Sequence, residues 1–396
     1  MTVGLTVMSV HPSRRTALFV IVTAAAAFAI ACGSSAQTIG GGPDDPQDSN
    51  SEDLSSLPGW QTDLTIRSVD LDELVQGQVK DGIPALDDAK FDSIAQGDEL
   101  LVDREPVIAV EINGDARAYP LGILTRHEIS NDVIGGVSVA VTFCPLCNSA
   151  IAFEREFGGV LYNFGVSGFL RNSDLIMFDR QTETWWQQFT GEAIVGELTG
   201  TLLEVVPTSV VSWGDFKAAY PDGQVLSRDT GFGIDYGFNP YAGYDSDEDP
   251  FLFRGEPDTR LSPIERVVAV EINGEPVAYP FTLLQELRIV EDTIGGERVV
   301  VFHQPGTASA LDDTTIAEGR DIGASGVFRP EAAGQALTFQ LDGDRFIDNE
   351  TGSTWSILGK ATAGPLAGEE LVPVAHGDHF WFAWAAFKPD TRIFEG

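Results

Sequence analysis

Apolar and polar residues alternate on both sides of two Asn-Gly pairs, Asn113-Gly114 and Asn273-Gly274, and that combination predicts a tight β-hairpin at each. A short helical stretch follows the first hairpin, from about Leu121 to Val133, and a second apolar strand runs from Val137 to Phe143. Further strand-like runs cover Ala150 to Arg155, Val160 to Val166, Asp174 to Asp179 and Leu202 to Val211. Trp213, Phe216 and Tyr220 recur at helical spacing, as do Trp381, Trp384 and the neighbouring Phe387, and both stripes are expected in the core. The expected fold class is α+β, mainly β, with short helices.

The pattern occurs twice. Ile108–Pro120 reads IAVEINGDARAYP and Val268–Pro280 reads VAVEINGEPVAYP, nine of thirteen positions being identical at an offset of 160 residues. At the same offset Asp132, Ile134, Gly135 and Gly136 match Asp292, Ile294, Gly295 and Gly296, and Pro145, Ser149 and Ala150 match Pro305, Ser309 and Ala310. With small gaps, the segment from Asp179 through Thr182 to Trp185 and Trp186 resembles Asp348, Thr351 and Trp355. Because both copies keep this cluster, a turn held by Asp and Thr side chains is expected there rather than catalysis. The period is too long for a solenoid and predicts two tandem homologous β-rich domains, residues 60–228 and 264–396. Between them, residues 229–263 are rich in Gly, aromatic residues and acids without periodicity, and a loop of that length is usually functional or disordered. Asp245, Asp247, Asp249 and Glu256 have the carboxylate spacing of a calcium loop, but Pro250 stands where Gly is required, so a solvated acidic loop is expected.

Composition changes the picture at the N-terminus and on the surface. Arg14 and Arg15 precede an apolar run from Ala17 to Ala31 that ends in small residues before Cys32. This predicts a signal peptide over residues 1–31 and lipidation of Cys32 as the new N-terminus, with simple secretion and cleavage nearby as the alternative. Residues 32–58 would form the lipidated, disordered tether. Removing residues 1–31 moves the formal charge from −36 to −38, and such a surface repels nucleic acid and anionic lipid. The expected location is outside the cytoplasm, periplasm or cell surface. The expected partners are a membrane, reached through the lipid anchor, and an extracytoplasmic protein or small molecule.

Beyond Cys32 the chain has only Cys144 and Cys147, so cysteines do not serve as general staples. Phe143-Cys144-Pro145-Leu146-Cys147-Asn148 follows an apolar strand, and two thiols this close in sequence either close a small ring or grip one metal. A structural disulfide is the alternative, but so short a loop restricts the unfolded chain little. At the repeat offset Cys144 becomes Gln304 and Cys147 becomes Thr307, which separates the thiols from what the fold requires. Among soft partners, His127 is the favoured third ligand or thiol activator, since its segment leads into the Cys144 strand and its counterpart is Leu287. Met177 is a fourth ligand candidate, set among apolar residues as a core side chain would be; His376 and His379 border Phe380-Trp381-Phe382 and flank a helix. Copper or another soft ion suits thiolate, imidazole and thioether ligands, whereas zinc would require a further nitrogen or sulfur. No Walker loop, nucleophile elbow, metalloprotease helix or dinucleotide fingerprint occurs.

Several of these stretches together resemble a known family. They are Leu-Gly-Ile-Leu-Thr-Arg-His127-Glu128, Val-Thr-Phe-Cys144-Pro-Leu-Cys147-Asn-Ser-Ala, Gly165-Val-Ser-Gly168, Asn172-Ser-Asp-Leu-Ile-Met177, Thr351-Gly-Ser-Thr-Trp355 and the aromatic run Phe380 to Phe387. The resemblance is to the domain-of-unknown-function 3179 family of exported bacterial and archaeal proteins, and it covers nearly everything from about residue 60 onward. Some members are described as selenoproteins, which implies that the thiol position can be chemically active and supports Cys144 and Cys147. The expected function is thiol redox chemistry, as a thiol oxidoreductase, or soft-metal binding at Cys144, Cys147 and His127. The alternative is a non-catalytic binding or scaffold module with a structural disulfide.

Overall fold

A computed structural model of the protein describes residues 58–396; the expected signal segment, Cys32 and nearly all of the expected tether lie outside the described residues. The fold is mostly β with five short helices among the described residues. None of them is long and apolar enough to cross a membrane.

The repeated residues have a shared geometric cause. Asn113 and Gly114 both take positive φ, as the tight turn between the strands Pro106–Ile112 and Asp115–Pro120 demands. The Asn113 side chain then donates to the Gly135 carbonyl (3.0 Å), locking this turn onto the next hairpin; Asn273 does the same to Gly295 (2.9 Å). A side chain at Gly135 would strike the Ile112 carbonyl at 2.0 Å, so only glycine lets the two turns approach. Tyr119 and Tyr279 donate to Asp132 and Asp292 (2.5 and 2.7 Å), which accounts for the matching Tyr and Asp positions.

The helical stretch is shorter than the sequence pattern predicts. Leu121–His127 is helix, but Glu128 adopts a left-handed cap (φ 58°) whose N–H returns to Leu124, and Ile129–Ile134 continues as a strand. Arg288 caps Phe281–Leu287 in the same way.

The sheets repeat as well. In the first copy, one sheet runs Ser209–Ser212, Pro106–Ile112, Asp115–Pro120, Gln224–Leu226, with Phe91–Ser93 as an added edge strand; a second runs Val205–Val206, Ser149–Glu154, Val137–Cys144, Ile129–Ile134. The second copy has His376–Phe380, Arg266–Ile272, Glu275–Pro280, Arg392–Ile393 and Val372–Pro373, Ala324–Arg329, Glu297–Gln304, Ile289–Ile294 in the same order. Each also has a sheet of short strands, Phe164–Arg171 through Glu192–Val195 and Phe339–Asp342 through Ala361–Ala363. The repeated turn is held as its composition predicts: Asp179 accepts from Thr182 N–H (2.6 Å) and the Trp186 indole (2.9 Å), and Asp348 accepts from Thr351 and Trp355. Trp186, not Trp185, is therefore the counterpart of Trp355.

Strand pairing corrects the correspondence downstream of Gln304. Cys144 pairs with Ser149, whereas Gln304 pairs with Ala324, so the tight 145–148 turn is replaced by residues 305–323. Thr307, Ser309 and Ala310 belong to this longer connection and are not the equivalents of Cys147, Ser149 and Ala150. The two copies also pack reciprocally: Ser149–Glu154 lies against His376–Phe380, and Ser209–Ser212 against Ala324–Arg329. Residues 58–396 accordingly fall within one compact unit.

Candidate functional site

The thiols sit at the two ends of the tight turn. Cys144 is the last residue of its strand; Pro145–Cys147 makes a single 3-10 turn, and Asn148, left-handed at φ 51°, sends the chain back into the paired strand at Ser149. Both cysteines are free and buried, 4.0 Å apart. The Cys144 thiol lies 3.9 Å from the Ser173 carbonyl.

The third member of the group is Asp174, the first residue of a wholly buried strand, Asp174–Asp179. One ligand atom from each of Cys144, Cys147 and Asp174 lies within 4.8 Å of the others. Oδ2 of Asp174 accepts from Gln187 Nε2 (2.6 Å) and from the Phe189 N–H (2.9 Å), which orients the carboxylate. Its Oδ1 is buried without a partner. Nearby, the buried Glu128 carboxyl interacts electrostatically with both Asp174 and Cys144.

Burial dominates the electrostatics. It pushes Asp174 up to about 7 and, with repulsion from Asp174, Glu128 up to about 8. Burial also raises the Cys144 thiol and raises Cys147 well above its ordinary range, with the neighbouring thiol and Asp174 adding to the latter. No histidine belongs to this group among the described residues. Without a cation, the thiols hold their protons and are poor nucleophiles.

His127 is placed differently from the sequence expectation. Its Nδ1 is 2.7 Å from the Pro84 carbonyl, which can only accept, so Nδ1 carries the proton. Nε2 therefore accepts from the Tyr236 hydroxyl at 2.6 Å, and that hydroxyl is 2.5 Å from Thr230 Oγ1. With both nitrogens committed, the ring is outside the Cys144–Cys147–Asp174 group and ties residues 229–263 to the helix. Glu128, one residue on, has a left-handed backbone and its buried carboxyl interacts electrostatically with Cys144 and Asp174. Met177, three positions along the strand from Asp174, is on the opposite face and fully buried in the core. His376 bonds to the Val374 carbonyl (2.8 Å), and His379 stacks on Trp384, so neither joins the thiols.

Residues 229–263 cover the site. Tyr244 donates to the Leu146 carbonyl inside the thiol turn (3.0 Å), and Ser173, next to Asp174, donates to the Phe251 carbonyl (2.5 Å). Asp245 is no calcium ligand: it is fully buried against Arg266 (2.9 Å), Arg320 (3.0 Å) and Ser309. The longer connection of the second copy holds the segment in place, with Asn239 donating to the Ala310 and Asp313 carbonyls and Gly243 N–H to Asp312. Beneath it lies a cavity of about 840 Å³ bordered by Glu128, Leu146 and Leu175.

A protein-family match covers residues 80–391, under the description "Protein of unknown function (DUF3179)". The chain belongs to the DUF3179 family. Comparison with curated proteins and with solved structures gave no match. The family match takes in both copies of the repeated topology and every residue of the thiol group.

Proposed function

We propose that Cys144, Cys147 and Asp174 hold a thiophilic metal ion, zinc(II) in first place and copper(I) in second. The supporting observation is the gathering of three buried ligand atoms within 4.8 Å of one another, with Oδ1 of Asp174 unpartnered. Two sulfurs bound to a tetrahedral zinc ion at ~2.3 Å lie roughly 3.8 Å apart, close to the separation of these thiols. Asp174 in place of His127 changes the favoured ion, because a carboxylate suits borderline zinc better than soft copper(I). A cation would also compensate a group that is otherwise acidic throughout.

Thiol–disulfide chemistry is the second reading, favoured by the same short separation. It is opposed by the absence of a histidine from the group and by thiols that hold their protons. Zinc titration of the reduced, metal-free protein tests the choice. The expected result is one ion per chain, bound with proton release, and no binding in Cys144→Ser or Cys147→Ser. An intramolecular disulfide in freshly isolated protein, with no metal uptake after reduction, would favour redox chemistry instead.

Export and anchoring through Cys32 belong to the same proposal, supported by the sequence ahead of it. Detergent-phase partitioning that is lost in Cys32→Ser is the expected outcome, and partitioning unaltered by that change would contradict it.

A further inference from the structure

The cavity beside the thiols has a character of its own. Its volume, about 840 Å³, is far larger than any metal ion requires and lies in the range of small-molecule pockets. Tyr241, Tyr244, Phe251 and Phe253 contribute to its walls, and no lysine, arginine or histidine lines it. Its charged residues are Asp247, Asp249 and Glu128, all of one sign.

Glu128 is what points to a ligand. The residue is 7% exposed, it lines the cavity, and its carboxyl has no hydrogen-bond partner among the described residues. A buried carboxylate without a partner is costly. An anion entering here would meet only carboxylates, and a neutral apolar molecule would leave Glu128 unmatched. A ligand bearing a positive group on an apolar body satisfies both the acid and the aromatic walls, whose rings attract cations.

We propose that this cavity binds an organic cation, an amine or quaternary ammonium on an apolar or aromatic body, with Glu128 as its counter-ion. The assignment does not depend on the metal reading, since Glu128 is not among the three proposed ligands.

Calorimetric titration of the whole protein with benzylammonium, benzyl alcohol and benzoate separates charge from shape. Benzylammonium is expected to bind, and the neutral and anionic analogues are not. Glu128→Gln is expected to weaken benzylammonium by more than about tenfold while zinc uptake persists. Cys144→Ser with Cys147→Ser is expected to abolish zinc uptake while amine binding persists, so failure of one proposal is distinguishable from failure of the other. Should Glu128→Gln fail to fold, Tyr241→Leu provides an independent loss of affinity from the aromatic wall. Absence of benzylammonium binding, equal binding of benzyl alcohol or benzoate, or undiminished binding in Glu128→Gln would overturn the proposal, as would loss of amine binding with the thiols.

Discussion

Asp174 has two carboxylate oxygens in different situations, one satisfied by Gln187 and Phe189 and one buried without a partner. In the folded chain its carboxyl holds a proton up to about 7, against an ordinary value of 3.8, because burial penalises the charge. Between those values the folded chain binds more protons than the unfolded chain, so this group's contribution to stability declines as pH rises through the window. Asp174→Asn cannot ionise. In metal-free protein, the stability of wild type relative to Asp174→Asn is therefore expected to fall as pH rises across that interval, read from urea midpoints. With zinc present the trend should reverse, since binding must displace protons from both thiols. The variant should also lose zinc affinity by at least the roughly 10–100-fold seen when supporting groups of metal sites are removed. A pH-independent difference, with zinc affinity retained, would remove Asp174 from the ligand set. The thiol pair was legible in the sequence because its spacing is local, whereas Asp174 was not, since it belongs to a different sheet and only tertiary packing brings it to the turn. The one trace of it in the sequence is an acid placed directly ahead of the apolar residues Leu175, Ile176, Met177 and Phe178. His127 was favoured because its segment leads into the Cys144 strand and its counterpart is Leu287, but sequence adjacency does not fix where the ring points, and both its nitrogens are taken by Pro84 and Tyr236.

At the level of elements, the tight hairpins were readable from Asn-Gly and the double-glycine turns, where backbone conformation dictates residue type. The 229–263 segment was not, because its order comes from distant partners rather than from any internal period. It is fastened at Tyr236, Asn239, Tyr244 and Asp245, each time to a group far away in sequence. The His127 imidazole is the fastening nearest the helix. Replacing it with leucine, the residue at the corresponding position of the second copy, leaves the Pro84 carbonyl and the Tyr236 hydroxyl without that partner. His127→Leu is expected to lower stability by about 1–3 kcal/mol and to hasten proteolytic cleavage within 229–263. Zinc affinity should stay within about threefold of wild type, less than 1.4 kcal/mol. A loss of zinc binding as complete as in Cys144→Ser would instead restore His127 to the site.

Across the whole molecule, duplication has divided the labour between the copies. The first keeps the short turn and its thiols; the second has replaced that turn with the connection 305–323, which holds the segment covering the first copy's site. The sequence repeat revealed two related copies but not their mutual dependence, because identities record common ancestry and not the contacts made afterwards. Those contacts are extensive: Phe143 and Phe153 share one buried cluster with Ala269, Phe380 and Trp381, and Trp213 and Phe216 share another with Phe302, Phe328 and Trp355. Separating the copies would expose these aromatic and aliphatic groups, at roughly 1.5–3 kcal/mol for each large side chain uncovered, and several such losses exceed the ~5–15 kcal/mol stability of an ordinary domain. Residues 58–263 and 264–396 expressed separately are therefore expected to lack cooperative unfolding, to bind hydrophobic dye, and to recover a folded complex only when produced together. The intact chain should unfold in a single transition, with near-ultraviolet and far-ultraviolet circular dichroism coinciding. Two separated transitions, the second unchanged in an isolated 264–396 fragment, would show that each copy folds by itself and that the reciprocal packing of Ser149–Glu154 on His376–Phe380 adds little.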